Sequence, residues 1–220
     1  MQSIVGGKSF SLACSVQNRQ QQAKKRNIDI SYIWGKSSKK EHEYLKRKQI
    51  SLGNARVNEY KGRRSLVVPL VDSFSADTKI KSLQFIQEDG EKYFAKDYQR
   101  YEYFYVASKY DTQKDRIIIC EGYATAQSLT MDTESFVIAA MSADNLVNVA
   151  KRVREISPDS QIVIALDNDE PGVKAAERTC TALNGRVKLL NPQPYNDFND
   201  LMCAEELQFL KARLEHLHDQ

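Results

Sequence analysis

From Asp115 onward the chain alternates between short, nearly continuous apolar runs and longer stretches with helical periodicity, and this alternation constrains its fold more than any other feature. The runs are Arg116 to Cys120, Phe136 to Ala140, Gln161 to Asp167 and Arg186 to Leu190. Between and after them, residues 123–131, 144–156, 171–183 and 204–217 read as helices. Apolar runs of this length suit strands covered on both faces, and strand–helix alternation is the mark of a parallel sheet. The half from Asp115 onward is therefore expected to be α/β.

The preceding half reads differently. Residues 1–28 are polar, with Gln17 to Gln22 and Lys24-Lys25-Arg26 offering little to bury, and a mobile segment is expected there. Between Asp29 and Lys48, Ile33, Trp34, Tyr44 and Leu45 sit among lysines and arginines in the pattern of short basic helices. From Ser65 to Ala107 come strand-like runs, Leu66 to Val71, Ile80 to Ile86 and Tyr103 to Val106, with turn chemistry at Asp72 to Asp77 and Glu88-Asp89-Gly90. These predict a small antiparallel β region. The expected division is a mobile segment over 1–28, a basic helical and β subdomain over 29–112, and an α/β domain with a C-terminal helix over 113–220.

Charge follows the same division. Residues 1–64 hold 15 Lys/Arg against 4 Asp/Glu, a balance of +11; the remainder holds 17 against 25, a balance of −8. A basic arm beside an acidic body suggests a polyanionic partner and a place for metal ions. No stretch approaches the roughly 20 apolar residues that span a bilayer, and Met1 to Val16 lacks the basic n-region and long apolar run of a signal peptide. A soluble, cytoplasmic protein with no membrane partner is expected. Cys14, Cys120, Cys180 and Cys203 are scattered singly, which argues against both a disulfide framework and a zinc finger. Of the histidines, His216 and His218 lie in a charged tail, and His42 is expected to face solvent.

Three carboxylates stand at particular places in the alternation. Glu121 follows the run ending at Cys120, and Asp167 and Asp169 follow the run Ile162 to Leu166, so they should lie at the carboxyl ends of two parallel strands. Ligands of open α/β sheets bind in the crevice beyond such ends. Carboxylates gathered there repel one another unless a cation neutralises them, and hard oxygen ligands favour magnesium, or manganese in its place. Side chains one apart on an extended strand end point the same way, so Asp167 and Asp169 could both reach one ion. Glu170-Pro171-Gly172 then turns into a helix, with glycine permitting close backbone approach to a ligand, and Lys174 one helical step on could meet phosphate.

The stretch from Ile117 to Ala126, with Glu121-Gly122, and the D-N-D-x-P-G of Asp167 to Gly172 resemble the two motifs of the Toprim domain. More narrowly, the chain resembles the catalytic core of plasmid- and phage-type DNA primases. His42 to Lys48 is similar to an H-x-Y-L-x-x-K segment before that core; Ser82 to Ile86 with Lys92-Tyr93-Phe94 resembles the strands preceding its Toprim domain. Ala140 to Leu146 resembles the loop after its second strand, and Asp197-Phe198-Asn199-Asp200-Leu201 resembles a D-F-N-D-L element near its end. The resemblance covers roughly residues 40–202. Asp197, Asn199 and Asp200 have an equally good reading as helix caps.

The resemblance implies a Toprim, Rossmann-like parallel sheet flanked by helices, preceded by the smaller basic helical and antiparallel β subdomain. It also implies nucleotidyl transfer, a 3′-hydroxyl attacking a nucleoside triphosphate on a single-stranded DNA template. Asp167 and Asp169 would bind Mg2+ or Mn2+, and Glu121 would act as general base or further metal ligand. Gly122, Asn168, Gly172, Lys174, Asp197 and Asp200 would contact phosphate or nucleotide. The template would meet Lys36, Lys39, Lys40, Lys46, Arg47, Lys48, Lys61, Arg63 and Arg64, with nearby aromatics for stacking. A replicative helicase or another replication protein is an expected partner. Neither a zinc-binding module before this core nor a helicase domain after it is recognisable, so an excised or reduced core is expected. The same acidic site suits a Toprim-type metal-dependent nuclease, and the fold also suits a non-catalytic module binding nucleic acid or a partner.

Overall fold

The computed structural model describes residues 29–60 and 62–204. Two short helices come first, α1 (Ile30–Lys36) and α2 (Glu43–Lys48), each opened by a side-chain cap. The Asp29 carboxylate accepts the N–H groups of Ser31 and Tyr32, and the His42 ring accepts that of Tyr44. A four-stranded antiparallel sheet follows, in the order β1 (Arg56–Tyr60), β2 (Arg63–Leu70), β3 (Ser82–Gln87) and β4 (Lys92–Phe94). Strand β1 carries three polar residues in five and its pattern alone does not announce it; pairing with β2 forms it.

The second sheet has five strands in the order β5-β7-β6-β8-β9. Its strands are β5 (Tyr105–Val106), β6 (Arg116–Cys120), β7 (Phe136–Ala139), β8 (Gln161–Ala165) and β9 (Lys188–Leu190). β6 to β9 are parallel and β5 runs antiparallel along the β7 edge. Helices α3 (Tyr123–Asp132), α4 (Ala143–Ile156) and α5 (Glu170–Ala182) follow β6, β7 and β8, and α6 (Phe198–Cys203) closes the described chain. The expected helix over 204–217 lies almost wholly outside the described residues, as do the segment 1–28, Cys14, Lys61, His216 and His218.

Alternation along the parallel strands sorts the core into two layers. Ile118, Cys120, Val137, Ala139, Val163 and Ala165 face one way, toward α2, α3, α6 and the inner face of the small sheet. Ile117, Ile119, Phe136, Ile138, Ile162 and Ile164 face the other, toward α4 and α5. One apolar cluster therefore joins the two sheets, running from Leu45, Val57 and Leu66 to Ile118 and Val163.

Two expectations are corrected. The run Tyr103 to Val106 only touches the small antiparallel region: Phe104 bridges Val71 just after β2, and Tyr105 and Val106 pair with Ala139 and Ile138 in the large sheet. Tyr105 is fully buried there, its hydroxyl accepting the N–H of Asn54 at 3.0 Å and that of the Gln127 amide at 3.0 Å. His42 does not face solvent. Its ring is buried, 1% exposed, with Nδ1 capping α2 and Nε2 3.5 Å from the carbonyl of Arg64 on β2.

Candidate active site

The chain leaves β6 on one face of the large sheet, through α3, and leaves β8 on the other, through α5, so a crevice opens between their carboxyl ends. Glu121 and Asp167 stand on its two sides. With Asp197, they line a pocket of about 190 Å³ whose other walls include Tyr44, Lys48, Gln84, Lys92, Gly122 and Met141. Both sheets contribute: Gln84 and Lys92 come from β3 and β4, Glu121 and Asp167 from the ends of β6 and β8.

The site is electrostatically loaded. Burial first, then Glu121, Asp197 and Asp169, push the Asp167 carboxyl up to about 7, with Lys92 opposing. Burial also raises the Glu121 carboxyl, followed by the charge of Asp169. The N–H of Ala143, at the start of α4, and the charge of Lys92 pull it back. Carboxylates crowded in this way disfavour one another's ionised form unless positive charge is added.

Asp167 Oδ1 is buried without a hydrogen-bond partner. An orphaned carboxylate oxygen facing other carboxylates fits a hard divalent cation such as magnesium. Among the described residues, no three His, Cys, Asp or Glu side chains converge closely enough to form a finished metal cage. The residue types and charge fit the ion, and substrate oxygens would have to complete the shell, as is usual for magnesium.

Asp169 has a second task. Its Oδ1 accepts the Gly172 N–H at 2.7 Å and caps α5, and the residue is exposed at the pocket's border rather than in its lining. Gly172 serves its own chain: a Cβ there would lie 2.4 Å from the Asp167 carbonyl oxygen and 3.0 Å from Asp169 Oδ1. Asn168 holds the loop leading to Asp197, through its N–H to the Asn196 carbonyl at 2.7 Å and its amide to the Tyr195 carbonyl at 3.2 Å. Asp197 caps α6 through the N–H of Asp200 at 2.8 Å and also lines the pocket. Asp200 sits 3.8 Å from Lys48, and Lys174 pairs with Glu170 on the exposed side of α5.

The basic residues do not form a single face. Lys48 reaches the acidic pocket, whereas Lys39, Lys40 and Lys46 border a separate groove over Leu45, Ile50 and Met131. Arg47 donates to the Glu88 carbonyl at 2.8 Å, Arg64 donates to the Glu41 carbonyl and lies near Glu88, and Lys36 lies over the Tyr32 ring. Arg63 is exposed at the start of β2.

Lys92, Gln84, Tyr44 and Met141 line the pocket without a sequence signal that marks them as site residues. Lys92 lies in a segment noted for its resemblance, but nothing local says that its strand crosses to the acidic crevice. Met141 adopts φ 70°, a left-handed conformation uncommon for a residue with a side chain, at the turn from β7 into α4.

A family model described as "Toprim domain" matches residues 116–206. A DNA primase TraC of Escherichia coli is 30% identical over 155 residues, covering 66% of this chain and 10% of the relative; a second TraC matches over 14% of its length. The chain thus spans about a tenth of the curated relatives it matches. Among solved structures, the primase fragment of the bacteriophage T7 primase-helicase superposes with a TM-score of 0.64 at 14% identity, covering 89% of this chain and 85% of that one. A DnaG primase catalytic domain bound to single-stranded DNA superposes with a TM-score of 0.58 at 12% identity, covering 94% and 80%. A DNA primase domain from Pseudomonas aeruginosa gives 0.55 at 17% identity, covering 94% and 78%.

Proposed function

We propose that this chain, whose residues 116–206 match the Toprim domain model and which is similar to DNA primases, carries out template-directed nucleotidyl transfer, building a primer on single-stranded DNA from nucleoside triphosphates. The observation that supports this reading best is the crevice at the β6 and β8 strand ends, where Asp167 has an unpartnered, buried Oδ1 beside Glu121 and Asp197.

Asp167 and Asp169 would hold Mg2+, or Mn2+ in its place, and Glu121 would serve as general base. When bound, the ion would supply neutralising charge for the triphosphate and for the charge that develops in the transition state. Asp167 needs that charge to stay ionised near neutral pH, given a carboxyl pushed up to about 7 by burial and its neighbours. Glu121 accepts the proton of the attacking hydroxyl, its basicity increased by burial and its position fixed by the Ala143 N–H. The 3′-hydroxyl oxygen bonds to the α-phosphorus, the bond from that phosphorus to the bridging oxygen breaks, and pyrophosphate leaves. Lys92 and Lys48 line the pocket as cationic partners for the phosphates. The template would run over the basic N-terminal side, and a helicase or other replication protein would deliver it.

The test is an incubation of the protein with single-stranded DNA, labelled ribo- and deoxyribonucleotides, and magnesium or manganese. Wild type is compared with Glu121→Gln and Asp167→Asn. Template-dependent products lost in both variants support primer synthesis. Metal-dependent shortening of the DNA would instead assign the site to hydrolysis, with water as nucleophile. Binding without either reaction, unchanged in the variants, would sink both enzymatic readings.

A further inference from the structure

We propose that Arg100 is a phosphate-binding residue at the rim of the acidic pocket, taking a phosphate of the nucleotide or of the nucleic-acid strand that lies over the site; this rests on reading the pocket as one that handles nucleotides.

The guanidinium is held by two aromatic rings. Its Cζ lies 4.9 Å from the ring centroid of Phe94 and 5.5 Å from that of Tyr101. Cation–π contacts of this kind immobilise the group while leaving its N–H donors, which lie in the guanidinium plane, for another partner. Among the described residues none takes them: Arg100 makes no ion pair, and its side chain donates no hydrogen bond. An arginine ordered in advance and without a carboxylate partner is suited to a phosphate, which accepts two parallel N–H bonds.

Its position is fixed from two sides. Phe94 shares a face of β4 with Lys92 and pairs across the sheet with Gln84, and both Lys92 and Gln84 line the acidic pocket. On the other side, the buried Asn145 amide donates to the carbonyls of Arg100 at 3.2 Å, Tyr103 at 3.0 Å and Ala140 at 2.8 Å, while its oxygen accepts the Glu102 N–H at 2.9 Å. Ala140 precedes Met141 of the pocket wall, and Ala143 donates to Glu121. The segment carrying Arg100 is thus fastened to the same turn that positions Glu121. Lys92 lines the pocket, and Arg100 stacks on the ring of Phe94, which shares a face of β4 with Lys92.

The experiment measures binding apart from chemistry. A fluorescent ATP and a 5′-labelled oligothymidylate are titrated separately, by anisotropy with Mg2+ present, into wild type, Arg100→Gln, Arg100→Lys and the surface control Arg178→Gln. Arg100→Gln should weaken at least one probe about tenfold, the size of one lost charge-assisted contact, and Arg100→Lys should recover only part of it. Weakening confined to ATP identifies a nucleotide phosphate. Weakening confined to the oligonucleotide, with a log-log salt slope lower by about 1, identifies a strand phosphate. The inference is overturned if Arg100→Gln binds both probes as tightly as wild type and Arg178→Gln, or if wild type binds neither. It survives if primer synthesis is never observed but the Arg100-dependent binding is. Matching thermal melts for Arg100→Gln and wild type separate the effect from misfolding.

Discussion

His42 shows how one residue's role depends on what packs over it. Burial, with the Arg64 charge acting the same way, holds its imidazole below the ordinary value of 6.5 against the Arg64 carbonyl and the charges of Glu88 and Glu43. The neutral ring suits its contacts, since Nδ1 must accept the Tyr44 N–H while Nε2 donates toward Arg64. The unfolded chain therefore takes up a proton first: the His42 contribution to stability is complete above about pH 6.5 and is lost as pH falls through the lowered folded-state value. Urea denaturation at pH 7.5 and 5 should show a smaller acid loss in His42→Asn than in wild type; equal losses would remove His42 as the cause. Asp169 separates in a similar way into charge and cap. Asp169→Asn keeps an oxygen for the Gly172 N–H and should leave stability nearly unchanged, whereas Asp169→Ala should cost about 1 kcal/mol. If Asp169 also serves the proposed cation, primer synthesis falls in both. Activity that follows stability alone would confine Asp169 to capping.

At the scale of elements, the strands β6, β7 and β8 and the helices after them were legible from sequence, because continuous aliphatic runs and helical periodicity are local properties of the chain. A polar strand and the choice of strand partner were not. β1 exists because Arg56 to Tyr60 finds β2, and β5 lies in the large sheet because Tyr105 is buried against Asn54 and Gln127. The turn into α4 depends on Asn145, whose single amide satisfies three carbonyls and whose oxygen accepts one N–H. Asn145→Ala would leave several of these groups buried and unpaired, at about 1–3 kcal/mol each where water cannot replace the lost bond. The expected result is a drop in midpoint together with faster amide exchange across residues 100–103. A midpoint unchanged from wild type would show that solvent reaches these groups freely.

For the whole molecule, a single apolar cluster crosses between the sheets, so the two should unfold together. Trp34, the one tryptophan, sits in α1 against the small sheet and reports on that side alone, while among the described residues the longest helices, α3, α4 and α5, give the far-UV circular dichroism on the other side. Urea transitions followed by the two signals should share one midpoint; separate midpoints would mean that the sheets are independent folding units. The sequence by itself determined the parallel sheet, the positions of Glu121, Asp167 and Asp169 after strands, and the opposed charge of the two halves, since each depends on neighbours along the chain. Tertiary structure alone decided which side chains meet. Asp167 and Glu121 share a pocket because β8 pairs with β6, and Lys92 and Gln84 enter it because the small sheet packs across the crevice. These are contacts between residues distant in sequence, fixed by pairing register and packing, and no local pattern encodes them.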